Sequence, residues 1–182
     1  MMCPLLKGFL QKCLNFCCGK GFRSPKIKGI LDDDILIRML FDSEQYNKML
    51  NKLEKNAIPT SDLQSRGLSL DIKRLASKRV VMERAQIQQE RAQKNHGLDD
   101  TTRKELYLSE AGHPSVRDIC DEQGNAMFIT KYDPVEGNDA HTILTCVNSG
   151  EKKAYYVMAR NKLAPVFSKS ITPAHEYKFF NK

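Results

Sequence analysis

Tryptophan is absent from this 182-residue chain, and the aromatic fraction is only 8%. Any core must therefore be largely aliphatic, and an apolar content of 41% is enough for one of modest size. No apolar run is long enough to span a bilayer, because Lys7 and Lys12 break the first candidate stretch. The same lysines leave no secretory h-region of the usual length, so export by that route is not expected. Met-Met-Cys at the start lacks the glycine that N-myristoylation requires. The short signatures of familiar chemistry (G-x-G-x-x-G, the P-loop, G-x-S-x-G, H-E-x-x-H) are missing as well. That is weak evidence against catalysis, since many hydrolases and transferases carry no short signature. No repeat long enough for a solenoid and no sustained heptad is present.

Six cysteines are few for a disulfide scaffold of this length. Four of them fall within the first eighteen residues, where adjacent Cys17 and Cys18 make poor bridge partners. They read as reduced or acylated thiols in a cytosolic setting.

Acid is also missing from one end. Residues 1–30 contain six Lys or Arg and no Asp or Glu, so they supply +6 of the net +7 and leave +1 for the other 152 residues. A nucleic-acid binder carries its basic footprint on the folded domain. Here the excess sits on a terminal segment, which favours an anionic membrane surface and makes nucleic acid the poorer partner.

On a helical wheel, Leu5, Leu6, Phe9, Leu10, Cys13, Leu14, Phe16 and Cys17 share one half. Lys7, Gly8, Gln11, Lys12 and Asn15 occupy the other, with Cys18 near the boundary. This is the pattern of a helix lying in a membrane interface. Cys13, Cys17 and Cys18 are candidate S-acylation sites on it. Lys20, Arg23, Lys26 and Lys28 follow, each worth on the order of 1 kcal/mol beside an anionic leaflet. Two other readings compete: the helix packs on the protein's own core, or Cys3, Cys13, Cys17 and Cys18 bind zinc without the usual paired-hook spacing.

Beyond this segment, Asp32, Asp33 and Asp34 are placed to start a helix over residues 33–56, ended by Pro59. Ser61-Asp62-Leu63-Gln64 matches a capping box for one short turn. A long helix is predicted over residues 70–95, its front half carrying a stripe of Ile72, Leu75, Ala76, Val80 and Met82. Its polar rear half is expected either to project into solvent or to pack on another molecule. A shorter helix, capped by residues 99–102, is predicted to reach residue 111.

Residues 116–120, 126–132, 142–147, 154–159 and 163–167 read as strands, with turns at 121–125 and 148–151. Residues 177–180 complete the pattern as a last strand or a packed tail. The expected fold class is α+β: a helical N-terminal half, then a small antiparallel β-sheet. The expected regions are 1–30 (anchor), 31–112 (helical) and 113–182 (β).

The most polar loop of the β half, residues 132–141, offers Asp133, Glu136, Asp139 and His141 as metal ligands or acid–base groups. Its spacing fits neither an EF-hand nor a two-histidine zinc helix, and turning the chain is role enough for it. Cys120 and Cys146 with His113, His141 and His175 permit a Cys–His pair on paper, although Cys146 shares a strand face with Leu144, as a buried thiol does.

The function expected is that of a peripheral membrane-associated adaptor or effector-type protein at a cytosolic leaflet, binding another protein through its α+β body. The alternatives are an enzyme with a polar site at 133–141 and a basic nucleic-acid-associated protein. No cofactor or metal is expected, and oligomeric state is left open. S-acylation places the chain in a eukaryotic cytosol, as a eukaryotic, viral or injected bacterial protein.

Overall fold

The computed structural model describes residues 29–96, 103, 105–148 and 150–180. Residues 1–28 of the anchor segment, with Cys13, Cys17, Cys18 and the basic positions up to Lys28, lie outside them. The strands among the described residues are β1 (Ile35–Phe41), β2 (Tyr46–Asn47), β3 (Lys52–Leu53), β4 (Leu68–Ile72), β5 (Leu106–Gly112), β6 (Phe128–Tyr132), β7 (His141–Cys146) and β8 (Ile171–Pro173). The helices are α1 (Thr60–Gln64), α2 (Lys78–His96), α3 (His113–Arg117) and α4 (Lys153–Phe167), with a 3-10 turn at Lys55–Ala57. Six strands form one sheet in the order β6-β7-β4-β1-β5-β8, every neighbouring pair antiparallel, while β2 and β3 make a separate hairpin. The α+β class holds. The helical N-terminal half does not.

The correction begins at β1. Ile-Leu-Ile-Arg-Met-Leu-Phe is a nearly continuous apolar run, as expected of a central strand covered on both faces. Leu36 and Leu40 enter one core, while Ile37 and Met39 enter the other. Read at helical period, the same residues looked like the start of a helix over 33–56. That stretch instead gives β1 and the β2–β3 hairpin. Asp34 caps no helix; its carboxylate accepts the Leu31 N–H at 2.7 Å and is gripped by Arg74, whose Nε and Nη2 lie 2.7 and 3.1 Å from its two oxygens. Arg74 also bonds the Gly29 carbonyl, tying the entry of the folded body to the end of β4.

The predicted helix over 70–95 splits into the end of β4 and α2; of the segment expected to be helical up to residue 111, residues 106–111 belong to β5, and the capping residues 99–102 lie outside the described residues. Conversely, residues 116–120 lie partly in α3 instead of a strand. The two strands predicted at 154–159 and 163–167 are a single helix, α4, which buries Tyr156, Ala159, Leu163 and Phe167. Their spacing of three, four and four residues is a helical stripe. β6 and β7 form close to where the alternation placed them. The residue 121–125 turn is closed by Asp121, which accepts N–H groups from Gln123 and Asn125, whereas the element after β7 is α4, starting at Lys153, instead of the second strand of a hairpin. α1 follows Pro59 with no side-chain cap, so the capping box is not made.

α1, α3 and α4 cover one face of the sheet, over Leu36, Leu40, Leu68, Leu70, Ile72, Leu144 and Cys146. The other face is only partly covered. There the turn after β4, the start of α2 and the C-terminal segment pack Ala76, Val81, Ala174, Tyr177 and Phe179 against Ile37 and Leu108. The rear of α2 does not project freely: Ala85 and Ala92 are buried, and Gln89 and the Gln88 carbonyl bond Arg103 of the same chain. Small side chains there mark a close helix approach that an apolar stripe of large residues does not reveal.

Truncating Leu163, fully buried in α4, to alanine is expected to cost about 2–5 kcal/mol in denaturant unfolding. Met82→Ala, on the exposed side of α2, should stay within about 0.5 kcal/mol.

Candidate functional site

The half-covered face carries a cluster of polar side chains where β4, β7 and α2 meet. Odd-numbered residues of β4 and β7 point to this face, and the register sets Ser69 opposite Ile143 and Asp71 opposite His141. Asp71 is 3% exposed at its side chain, and each of its carboxylate oxygens accepts from Arg84 Nη1 at 2.8 Å. Asn138 donates to Asp71 Oδ1 at 2.8 Å and accepts the Ala140 N–H at 3.1 Å. A carboxylate buried this deeply needs compensation of that kind, and here it has a cation and an amide.

His141 lies beside this pair. Its Nε2 is 3.0 Å from Ser69 Oγ, and its Nδ1 is 2.6 Å from the Asp133 carbonyl oxygen and 3.4 Å from Asp133 Oδ2. Arg84 Nη2 donates to Ser69 Oγ at 3.3 Å. The loop that delivers Asp133 and Asn138 is a tight reversal in which Val135 and Asn138 exchange backbone hydrogen bonds. Gly137 takes φ +76 there, a left-handed conformation that favours glycine.

Of the four loop residues proposed from sequence, Asp133 and His141 are brought together. Glu136 and Asp139 remain exposed. The Asp139 carbonyl accepts the Tyr132 hydroxyl at 3.0 Å. Among the described residues no group of three or more His, Cys, Asp or Glu side chains is gathered as a metal site. The Cys–His pairing with His141 is not formed: Cys146 sits on the helix-covered face and His141 on the opposite one. Burial pushes the Cys146 thiol up to about 11. Cys120 is partly exposed, and its Sγ is 3.6 Å from the Asp118 carbonyl.

Ser69, Asp71, Arg84 and Asn138 were not singled out by the sequence. Ser69 and Asp71 alternate with Leu68, Leu70 and Ile72, and that alternation was the available signal. Charged and hydroxyl residues at period two within an apolar strand mark a face that meets something polar.

Two further surfaces stand out. An open groove of about 670 Å³ runs between α2 and the β5–β8 edge, with Met82, Gln86, Leu106, Pro173 and His175 among its lining residues. At the tip of the β2–β3 hairpin, Met49 and Leu50 are 86% and 69% exposed. No described helix is long and apolar enough to cross a membrane. Comparison with protein-family models, with curated proteins and with solved structures gives no match.

Asp71→Ala is expected to lower stability by about 3–5 kcal/mol, because it strands the Arg84 guanidinium beneath the helix. Arg79→Ala, which breaks an exposed helix pair with Glu83, should cost at most about 0.5 kcal/mol in the same titration. At pH 8 the Cys146 thiol is expected to resist Ellman's reagent in the native protein and to react on unfolding, whereas Cys120 reacts in both states. Peptide mapping would assign the modified sites.

Proposed function

We propose that this chain is a peripheral membrane-associated adaptor or effector-type protein. Its first 28 residues hold it to an anionic cytosolic leaflet, and its α+β body is offered to a protein partner. The observation that carries the reading is charge placement: residues 1–30 contribute +6 of the net +7. They combine that charge with an apolar helical face and the acyl-acceptor candidates Cys13, Cys17 and Cys18. One acyl chain holds a protein only marginally, so chain, apolar face and basic residues act together.

The body supports the reading in a different way. Its buried charges are matched internally, Asp34 with Arg74 and Asp71 with Arg84. Glu44 pairs with Arg103, and Lys73 with Glu110. The body carries a net +1, so the basic N-terminal segment holds the excess charge that addresses an acidic surface. For a protein partner the body offers the Met49–Leu50 tip and the α2 groove, apolar surface of the kind that interfaces favour.

Gly29 and Ile30 already belong to the folded body, through Arg74 and the core, so a clean truncation removes residues 1–28. In eukaryotic cells the tagged full-length chain is expected in the membrane fraction. The Cys13/Cys17/Cys18→Ser variant and the chain lacking residues 1–28 are expected in the soluble fraction. Identical soluble distribution of all three would remove the anchor reading.

A further inference from the structure

The contact between Ser69 and His141 has the geometry of a nucleophile and its base. The Asp133 carbonyl 2.6 Å from His141 Nδ1 can only accept, so Nδ1 carries the proton and Nε2 turns its lone pair to the Ser69 hydroxyl 3.0 Å away. The Asp133 carboxylate, 3.4 Å from Nδ1, lies where it favours the imidazolium formed when Nε2 takes a proton. On the other side of Oγ, the Arg84 guanidinium is held by two bonds to Asp71 and keeps Nη2 3.3 Å from the hydroxyl oxygen. A fixed N–H donor beside a nucleophile is suited to a developing oxyanion.

The surface next to Ser69 is partly exposed and combines apolar and polar side chains, with Lys131 opposite Ile143 on β6. Across the β4–β7 register Ser69 faces Ile143, with Thr145 two residues further along β7 and Ile129 beside Thr145 on β6, 46% exposed. Gly67 precedes Ser69 on the same side. A Cβ there would stand 3.0 Å from Thr145 Cγ2 and 3.1 Å from Ile143 Cβ, at φ +86, so glycine lets those side chains settle against the backbone. These side chains form the floor beside Ser69, with Arg84 at the Ser69 hydroxyl.

We propose that Ser69 is a nucleophile, with His141 as its general base, in an esterase-type site for uncharged esters. The acyl chain lies on the Ile143–Thr145–Ile129 floor. Ser69 Oγ forms a bond to the ester carbonyl carbon while His141 Nε2 takes the hydroxyl proton. The carbon–alkoxy bond then breaks and the alcohol leaves with that proton. Water attacks the acyl-serine, giving its proton to Nε2; the Ser69 oxygen recovers a proton as the acid departs. The activity goes beyond the adaptor reading and does not depend on it.

The test uses the full-length chain, a fluorophosphonate probe and p-nitrophenyl butyrate. The folded wild type should acquire a covalent adduct on Ser69, located by peptide mass, and butyrate ester should leave an acyl group on the same residue. His141→Gln, checked for an unchanged melting transition, should label about 100-fold or more slowly. Asp133→Asn should cause a smaller loss, because the orienting carbonyl remains. Equal labelling of folded His141→Gln overturns the proposal. If that variant does not fold, the wild type decides alone, and the absence of any adduct on Ser69 overturns it.

Discussion

The Asp71–Arg84 pair is the interaction on which the less-covered side of this molecule depends. Asp71 sits on an interior strand, nearly sealed from solvent, and an isolated carboxylate there would be costly to ionise. Arg84 makes it tolerable, and in doing so fixes α2 across the sheet at one angle and one register. Asn138 takes the same carboxylate from the other side and so fixes the reversal after β6. Helix, strand and loop meet at a single residue, and the Ser69–His141 contact is assembled next to it. Such a pair contributes little net stability compared with an apolar substitute, but removing one member is severe.

The rest of the architecture follows from how the strands interleave. β4 lies between β1, close to it in sequence, and β7, far from it, so neither half of the chain completes the sheet alone. The helix-covered face has an ordinary aliphatic core that accepts Tyr156 and Phe167 where tryptophan is absent. The opposite face is held by ion pairs and small residues as much as by apolar area. The C-terminal segment is tied there by Tyr177, whose hydroxyl bonds Glu110, the carboxylate that also pairs with Lys73. Burial and that hydrogen bond push the Tyr177 phenol well above its usual range.

The adaptor reading and the esterase proposal rest on different parts of the chain. One draws on the composition of the first thirty residues, the other on side chains that three separate elements bring within hydrogen-bonding distance. A membrane address and an acyl-transfer site are compatible in one protein, and each can fail without the other.

Local pattern determined a good deal. The charge asymmetry, the segregation of cysteines at one end, the β6–β7 alternation and the α+β class can be read from the residues alone, because each depends on composition or on a short period. Asp133 and His141 stood out as polar residues of one loop, and they do come together. The assignment of Ile35–Phe41 to a strand was not legible in the same way: its apolar run satisfies a helical period as well as a doubly buried strand, and only the flanking β4 and β5 decide between them. The reverse error over α4 had a signal, the spacing of Tyr156, Ala159, Leu163 and Phe167, which β-branched and aromatic content masked. Ser69, Asp71 and Arg84 became a cluster only through tertiary structure. The contacts of Ser69 with His141 and of Asp71 with Asn138 join positions far apart in the chain, and no period within one segment records which strand will lie beside which.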